Sequence, residues 1–359
     1  MKRGVGSATG FTLVEALVAS TISLAVIALA CHLAADVQMA WRAAAARVDL
    51  QQRARATADV VSRLLREAGA GPMSGSARAN LIRGIPPVLP RRVGRRGAHA
   101  LNEFRTDAFT VIRAAAESEH GVLLTPVPAG AATLELSSLG GCALPACGFA
   151  EGTSLLLLDA SGQYDTFAVT AVDGMVLTVR HLGANPSVPF AAGSPAIAIE
   201  SSSITLNGAT RTLRVYDGDA NDLPLLDDVV DLRVWYFGEG EPPVWPRPPD
   251  GQANCLYAAD GTYQSALLPI LGAPGRLIEL TPDVLTDGPW CGAGDTQFDA
   301  DLLRVRRVRL SVTLQAGDAA VRGTDPLRFA NPGSARRSAL AVPDMTVQID
   351  VTPRNLRLE

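Results

Sequence analysis

Gly10-Phe11-Thr12-Leu13-Val14-Glu15 decides how the rest of this chain reads, because a small residue precedes a long apolar run instead of following it. In a secretory signal the cleavage site comes after the apolar segment, so a cut after Gly10 would leave that segment on the mature protein. From Ala16 to Ala35 there is no Asp, Glu, Lys or Arg. These roughly twenty residues, at about 1.5 Å each, are enough to cross a hydrocarbon core about 30 Å thick. Lys2 and Arg3 on the short leading flank predict that the bulk of the chain lies on the outer side. Glu15 breaks the pattern, since an acidic side chain costs roughly 2.5 to 3.5 kcal/mol at the centre of a membrane helix and less near its end. An amino group freed on Phe11 would sit about one helical turn from that carboxylate, able to neutralise it in the same subunit or in a packed neighbour.

Outward from this stretch, neither Gly nor Pro occurs between Phe11 and Ala68, and Gly69-Ala70-Gly71-Pro72 then supplies a stop. A helix of about 58 residues would be roughly 87 Å long. Its second half is amphipathic: Leu50, Ala54, Ala58, Val61 and Leu65 recur at helical spacing, with Arg47, Gln51, Arg55, Asp59, Arg63 and Arg66 elsewhere. One face is therefore expected to lie on a folded domain.

The run Gly10 to Glu15 closely resembles the prepilin cleavage and methylation motif, which type IV pilins share with the pseudopilins of type II secretion. The resemblance implies that prepilin peptidase cuts after Gly10 and methylates the Phe11 amine, and that Glu15 guides docking into a growing filament. Three later stretches, Leu223 to Tyr236, Arg306 to Val312 and Val351 to Leu356, are similar to W-type minor pilins of type IV pilus assembly. J-type minor pseudopilins share part of that pattern but resemble the chain less in length and ending. The likeness covers Phe11 to about Ala68 well, the region after Thr210 loosely and the middle hardly at all. It implies a pilin-like α+β fold, with a long N-terminal helix packed on an antiparallel β domain that carries a β-rich insert. Residues 1–10 would be a leader, 11–35 the membrane-spanning half of the helix, 36–71 its amphipathic half and 72–359 a periplasmic head with an insert at 125–199. The implied function is a non-enzymatic one: a minor pilin that primes assembly or sits at the filament tip. Its partners would be prepilin peptidase, other minor and major pilins and the bacterial inner membrane. The alternatives are a secretion pseudopilin, or a filament-borne adhesin whose insert and Trp245 loop recognise a ligand.

Beyond Pro72 the apolar period changes to two, with short runs separated by Gly, Pro, Asn and Asp. Asp173-Gly174 and Asn207-Gly208 are hairpin signals. Val230, Leu232, Val234 and Tyr236 alternate cleanly, as do Met345, Val347, Ile349 and Val351. Between Leu303 and Leu314 the phase slips once at Arg306-Arg307, which predicts a β-bulge. Gly84 to Gly97 is rich in proline and arginine, and Gly238 to Gly251 holds five prolines around Trp245, so neither belongs in a central strand.

Composition adds little: the formal net charge is −4 and Lys2 is the only lysine, which gives no electrostatic case for nucleic acid. Cys31 falls in the apolar run, leaving Cys142, Cys147, Cys255 and Cys291 outside it. In an oxidising compartment four cysteines allow three connectivities, of which 142/147 with 255/291 is the simplest. The scattered His99, His120 and His181 speak against zinc. Asp217, Asp219 and Asn221, with Asp228 eleven residues after Asp217, have the spacing of a calcium loop. The turn glycine that such a loop needs is absent, since Asp222 stands there, so an Asp-rich hairpin turn competes with the ion. Pro90-Arg91-Arg92-Val93-Gly94-Arg95-Arg96-Gly97 is a basic cluster that reads as a solvated loop or a partner contact, without the interleaved aromatics that stack bases. No nucleophile elbow, P-loop or zinc-protease motif occurs.

Overall fold

The computed structural model describes residues 12–71, 81–115, 120–137, 145–159, 161–183, 188–335 and 337–356. The fold is α+β: one long helix, α1 (Leu13–Arg66), followed by antiparallel sheets. The chain divides into two compact units, the first made of residues through Gln52 with Gln315–Asp344, the second of Arg53–Leu314 with the chain from Met345 onward.

In the first unit, every residue from Thr12 to Ala35 is exposed. α1 is the one helix among the described residues long and apolar enough to cross a membrane. Farther along, Ala43 and Leu50 are buried, and Arg337 of the returning segment pairs with Asp36 at 3.0 Å. That segment is knotted by Gln315, whose amide oxygen accepts from Arg322 at 2.6 Å and from Asn331 at 3.0 Å, while its amide nitrogen donates to Asp344 at 3.1 Å.

In the second unit, the end of α1 buries Ala54, Thr57, Val61 and Leu65, with Ala68 just past it; Ala54, Val61 and Leu65 belong to the face expected from sequence, whereas Ala58 is half-buried. Gly69 stops the helix at φ +74, where a Cβ would fall 2.9 Å from Leu356 and 3.0 Å from Pro87. Only glycine combines the left-handed turn with that approach. Two backbone bonds then fasten the helix end to the sheet: Gly69 N–H donates to the Ile112 carbonyl at 3.0 Å and Ala114 N–H to that of Ala70 at 2.7 Å.

The strands in chain order begin with β1 (Val88–Leu89), β2 (Ala108–Ala114), β3 (His120–Leu123), β4 (Thr133–Ser137), β5 (Ser154–Leu158), β6 (Tyr164–Asp173), β7 (Val176–His181) and β8 (Pro195–Asn207). They continue with β9 (Thr212–Tyr216), β10 (Asp222–Leu226), β11 (Val229–Glu239), β12 (Leu277–Leu280), β13 (Trp290–Cys291), β14 (Phe298–Asp299), β15 (Val305–Leu314) and β16 (Met345–Val351).

The middle of the chain forms a closed antiparallel barrel in the order β8-β3-β4-β7-β6-β5, with β5 pairing back onto β8. Closure removes the sheet edges, and the inward residues Leu134, Leu155, Phe167, Leu177 and Ala196, with their neighbours two positions on, form one core cluster. The expected insert at 125–199 is thus a barrel, but its boundaries differ. It begins at His120, and β8 runs on past Ile199 to lie between β2 and β9. Ile199 is the shared position, paired with Ser154 on one side and Ala114 on the other.

A separate four-stranded sheet has the order β12-β11-β15-β16. Leu232, Val234, Tyr236, Val308, Leu310 and Val312 share its buried face through the pairs Leu232↔Val312, Val234↔Leu310 and Tyr236↔Val308. The predicted bulge is present: Phe237 pairs with Arg307 and Gly238 with Val305, leaving Arg306 as the extra residue. Its side chain is buried and bonded to Glu239 at 2.8 and 2.9 Å. Both predicted hairpins form, with altered turns. Asp173 pairs with Val176, so the turn residues are Gly174 at φ +60 and Met175, one position later than an Asp-Gly turn. Asn207 pairs with Thr212, and its side chain caps a four-residue loop through Ala209 and Thr210 N–H.

Candidate functional site

At the N-terminus, Gly10 and Phe11 lie outside the described residues, and the first residue of the motif that is described is Thr12. It stands immediately before α1, where its hydroxyl accepts from Glu15 N–H at 3.2 Å. The Glu15 carboxylate returns to accept from Thr12 N–H at 3.0 Å and from the Thr12 hydroxyl at 2.9 Å. This is a reciprocal capping box, satisfying two helix-end donors that a low-dielectric surrounding would otherwise leave costly. The T-x-x-E spacing was the signal for it, and Glu15 therefore has a local role beside any it has with the Phe11 amine.

The two charged motifs of the head meet each other. β9 and β10 form a hairpin whose turn holds Asp217, Asp219 and Asn221. Asp217 Oδ1 accepts from the backbone N–H groups of Asp219 at 2.8 Å and Asn221 at 3.1 Å, and its Oδ2 from the Asn221 amide at 2.7 Å. Asp219 is paired with Arg180 at 2.7 Å and with Arg95 at 3.9 Å, and Asp222 with Arg214 at 2.8 Å and Arg92 at 3.0 Å. Burial acts to raise the Asp222 carboxyl, but Arg214 and Arg92 hold it below the usual carboxylate range. Asp228 is not in this constellation: the five residues of β10 carry the chain to the other end of the hairpin, about 15 Å away. There Asp228 meets Arg53 at 3.6 Å and Arg211 at 3.8 Å. The calcium spacing is therefore a hairpin turn plus a remote carboxylate, with guanidinium groups where a cation would stand.

The same contacts correct the reading of the basic cluster as a solvated loop or partner contact. Arg92 lies 4.0 Å from the centroid of the Tyr216 ring, Arg95 N–H donates to the Gly218 carbonyl at 2.9 Å, and Arg96 N–H to the Tyr216 hydroxyl at 2.9 Å. Gly94 makes this approach possible, since a Cβ there would fall 2.4 Å from the Gly218 oxygen at φ +117. Arg91 is buried. Arg91, Arg92 and Arg95 are thus engaged within the head, Arg91 through carbonyls and the other two through ion pairs, while the Arg96 side chain is exposed.

Cys255 and Cys291 form a disulfide with Cα atoms 5.0 Å apart. Cys147 is disulfide-bonded, while Cys142 lies outside the described residues, and Cys31 is free and exposed.

Two buried charge clusters gave no sequence signal: strand pairing brings His181 to Asp165, and the pairing of β13 with β14 brings Asp287 beside Asp299 and Asp301. His181 and Asp165, on β7 and β6, bond at 2.6 Å. Burial acts to lower the imidazole pKa, and the Asp165 carboxylate overrides it, for a net rise. Asp299, Asp301 and Asp287 bring one carboxylate oxygen each within 4.8 Å of one another. Asp299 accepts from Gly288 N–H at 2.6 Å and Asp301 N–H at 2.8 Å, and burial pushes its pKa up to about 6. Asp301 pairs with Arg304, which is fully buried and donates to the carbonyls of Gly240 at 3.0 Å and Pro269 at 2.9 Å. This second cluster fastens the Gly240 and Pro269 loops to the start of β15. No family model matches the chain, and no curated protein matches it.

Proposed function

We propose that the chain is a minor pilin, a structural and assembly subunit of a type IV pilus, processed between Gly10 and Phe11 by prepilin peptidase. The observation that carries this reading is the division of α1. Its first part, from Leu13 to Ala35, exposes apolar side chains all round, and its last part buries one stripe on a β domain. An apolar rod of that length has no favourable state in water, so lipid, and then other subunits, must cover it. The capped start of the helix at Thr12 and Glu15 supports insertion from that end. Before assembly the protein would sit in the inner membrane with its head in the periplasm, and afterwards in a filament beside other minor and major pilins. The barrel favours a second role, as a recognition head displayed at the tip, because a closed barrel core is an autonomous addition to the sheet that receives the helix.

Deleting the gene tests the reading. Surface pili should be lost or fall at least tenfold, with protein export intact. Intact piliation with lost exoprotein export would instead make the chain a type II secretion pseudopilin, and unchanged piliation and export would contradict both.

A further inference from the structure

The geometry points to a binding site for a small organic acid, an apolar body carrying one carboxylate, in the cleft between the arginine-rich loop and the outer wall of the barrel. The cleft holds about 530 Å³, within the range of small-molecule sites. One wall is the loop from Arg91 to Leu101, the other the outer face of β5, β6 and β8, contributed by Ser154, Tyr164, Thr166 and Ile199.

Its charge is arranged by depth. Arg91 is only 3% exposed, whereas the other charged groups of the lining, Arg95, Asp217 and Asp295, reach solvent. The Arg91 guanidinium donates to two neutral carbonyls, Leu101 at 2.5 Å and Gln297 at 3.0 Å, and its Nε has no partner. Among the described residues no carboxylate lies within salt-bridge distance of it. The neighbouring Tyr164 phenol, pushed up by burial to about 12, is neutral and offers no counter-charge. Asp217 is spent on its own turn.

A buried cation without a counter-ion is costly, and an anion entering the cleft would relieve that cost. Ser201 Oγ, buried and without a partner, adds a hydroxyl on the same wall. Ile112, Leu101, Leu182 and Ile199 supply apolar surface for the body of the ligand. One buried cation beside these apolar side chains, with Asp217 and Asp295 toward solvent, suits a monoanionic organic acid better than a phosphate, which draws several donors.

Calorimetry on the full-length protein in detergent tests the site with naphthalene-2-carboxylate, its neutral analogue naphthalene-2-methanol, and inorganic phosphate. The carboxylate should give saturable one-to-one binding, with the alcohol and phosphate at least tenfold weaker. Arg91→Met and Ser201→Leu should each weaken the carboxylate at least tenfold, the first by removing the charge and the second by filling the cleft. If Arg91→Met does not fold, Ser201→Leu decides alone. The site is refuted by the absence of saturable heat with the carboxylate, by equal binding of the alcohol or phosphate, or by unchanged binding in Ser201→Leu.

Discussion

Glu15 is where two physical accounts meet on one residue. It is a capping-box acceptor for Thr12, and it is the carboxylate that a freed Phe11 amine would neutralise. Glutamine serves the first role and not the second. Glu15→Gln should therefore keep the start of the helix and yet reduce pilus incorporation at least tenfold, measured as the protein recovered in sheared filaments. Thr12→Ala should weaken the cap by about 1 kcal/mol and leave incorporation within a few-fold of normal. The reverse ranking would make Glu15 a cap and nothing more. Asp299 carries a pH dependence of definite sign. Burial raises its folded pKa to about 6, above the 3.8 of an ordinary aspartate, so the folded state binds the proton more tightly. The resulting stability is fully present below about pH 4 and is lost as pH rises through 6, on the order of 3 kcal/mol in all. Urea unfolding of the native protein and Asp299→Asn at pH 4 and pH 7 should show the native advantage shrinking by that order. An unchanged difference would mean that the carboxyl is not buried as described.

At the scale of elements, what could be read from sequence was what local chemistry specifies. The stop at Gly69, the buried stripe through Val61 and Leu65, the bulge at Arg306 and the hairpin at Asp173-Gly174 each follow from a few adjacent residues. Barrel closure was not legible, because β5 and β3 must find opposite sides of β8 across dozens of residues, and no short pattern encodes that choice. The cancellation of the basic loop by the acidic turn was hidden for the same reason: Arg92 and Asp222 are 130 positions apart. Asp228 stands apart from the Asp217 turn for a local reason, since β10 is a strand of five residues between them. The Cys255–Cys291 bridge closes a segment of 36 residues that includes β12 and the irregular stretch before it. Replacing both cysteines by serine should lower stability by about 2–4 kcal/mol in urea titration. An unmoved midpoint would show that this segment is ordered without the bridge.

For the whole molecule, the proposed reading keeps the apolar half of α1 on a mature protein that begins one residue after a processed glycine, at Phe11. The exposed run from Leu13 to Ala35, the capped helix start and the buried stripe that follows all depend on the helix being kept. Among the described residues α1 is the one helix long and apolar enough to cross a membrane. Mass spectrometry of the N-terminal peptide from protein isolated from its native membrane tests this most directly. The expected result is a chain that begins at Phe11 with a methylated amine. An intact Met1, or a cut after Ala35, would contradict it.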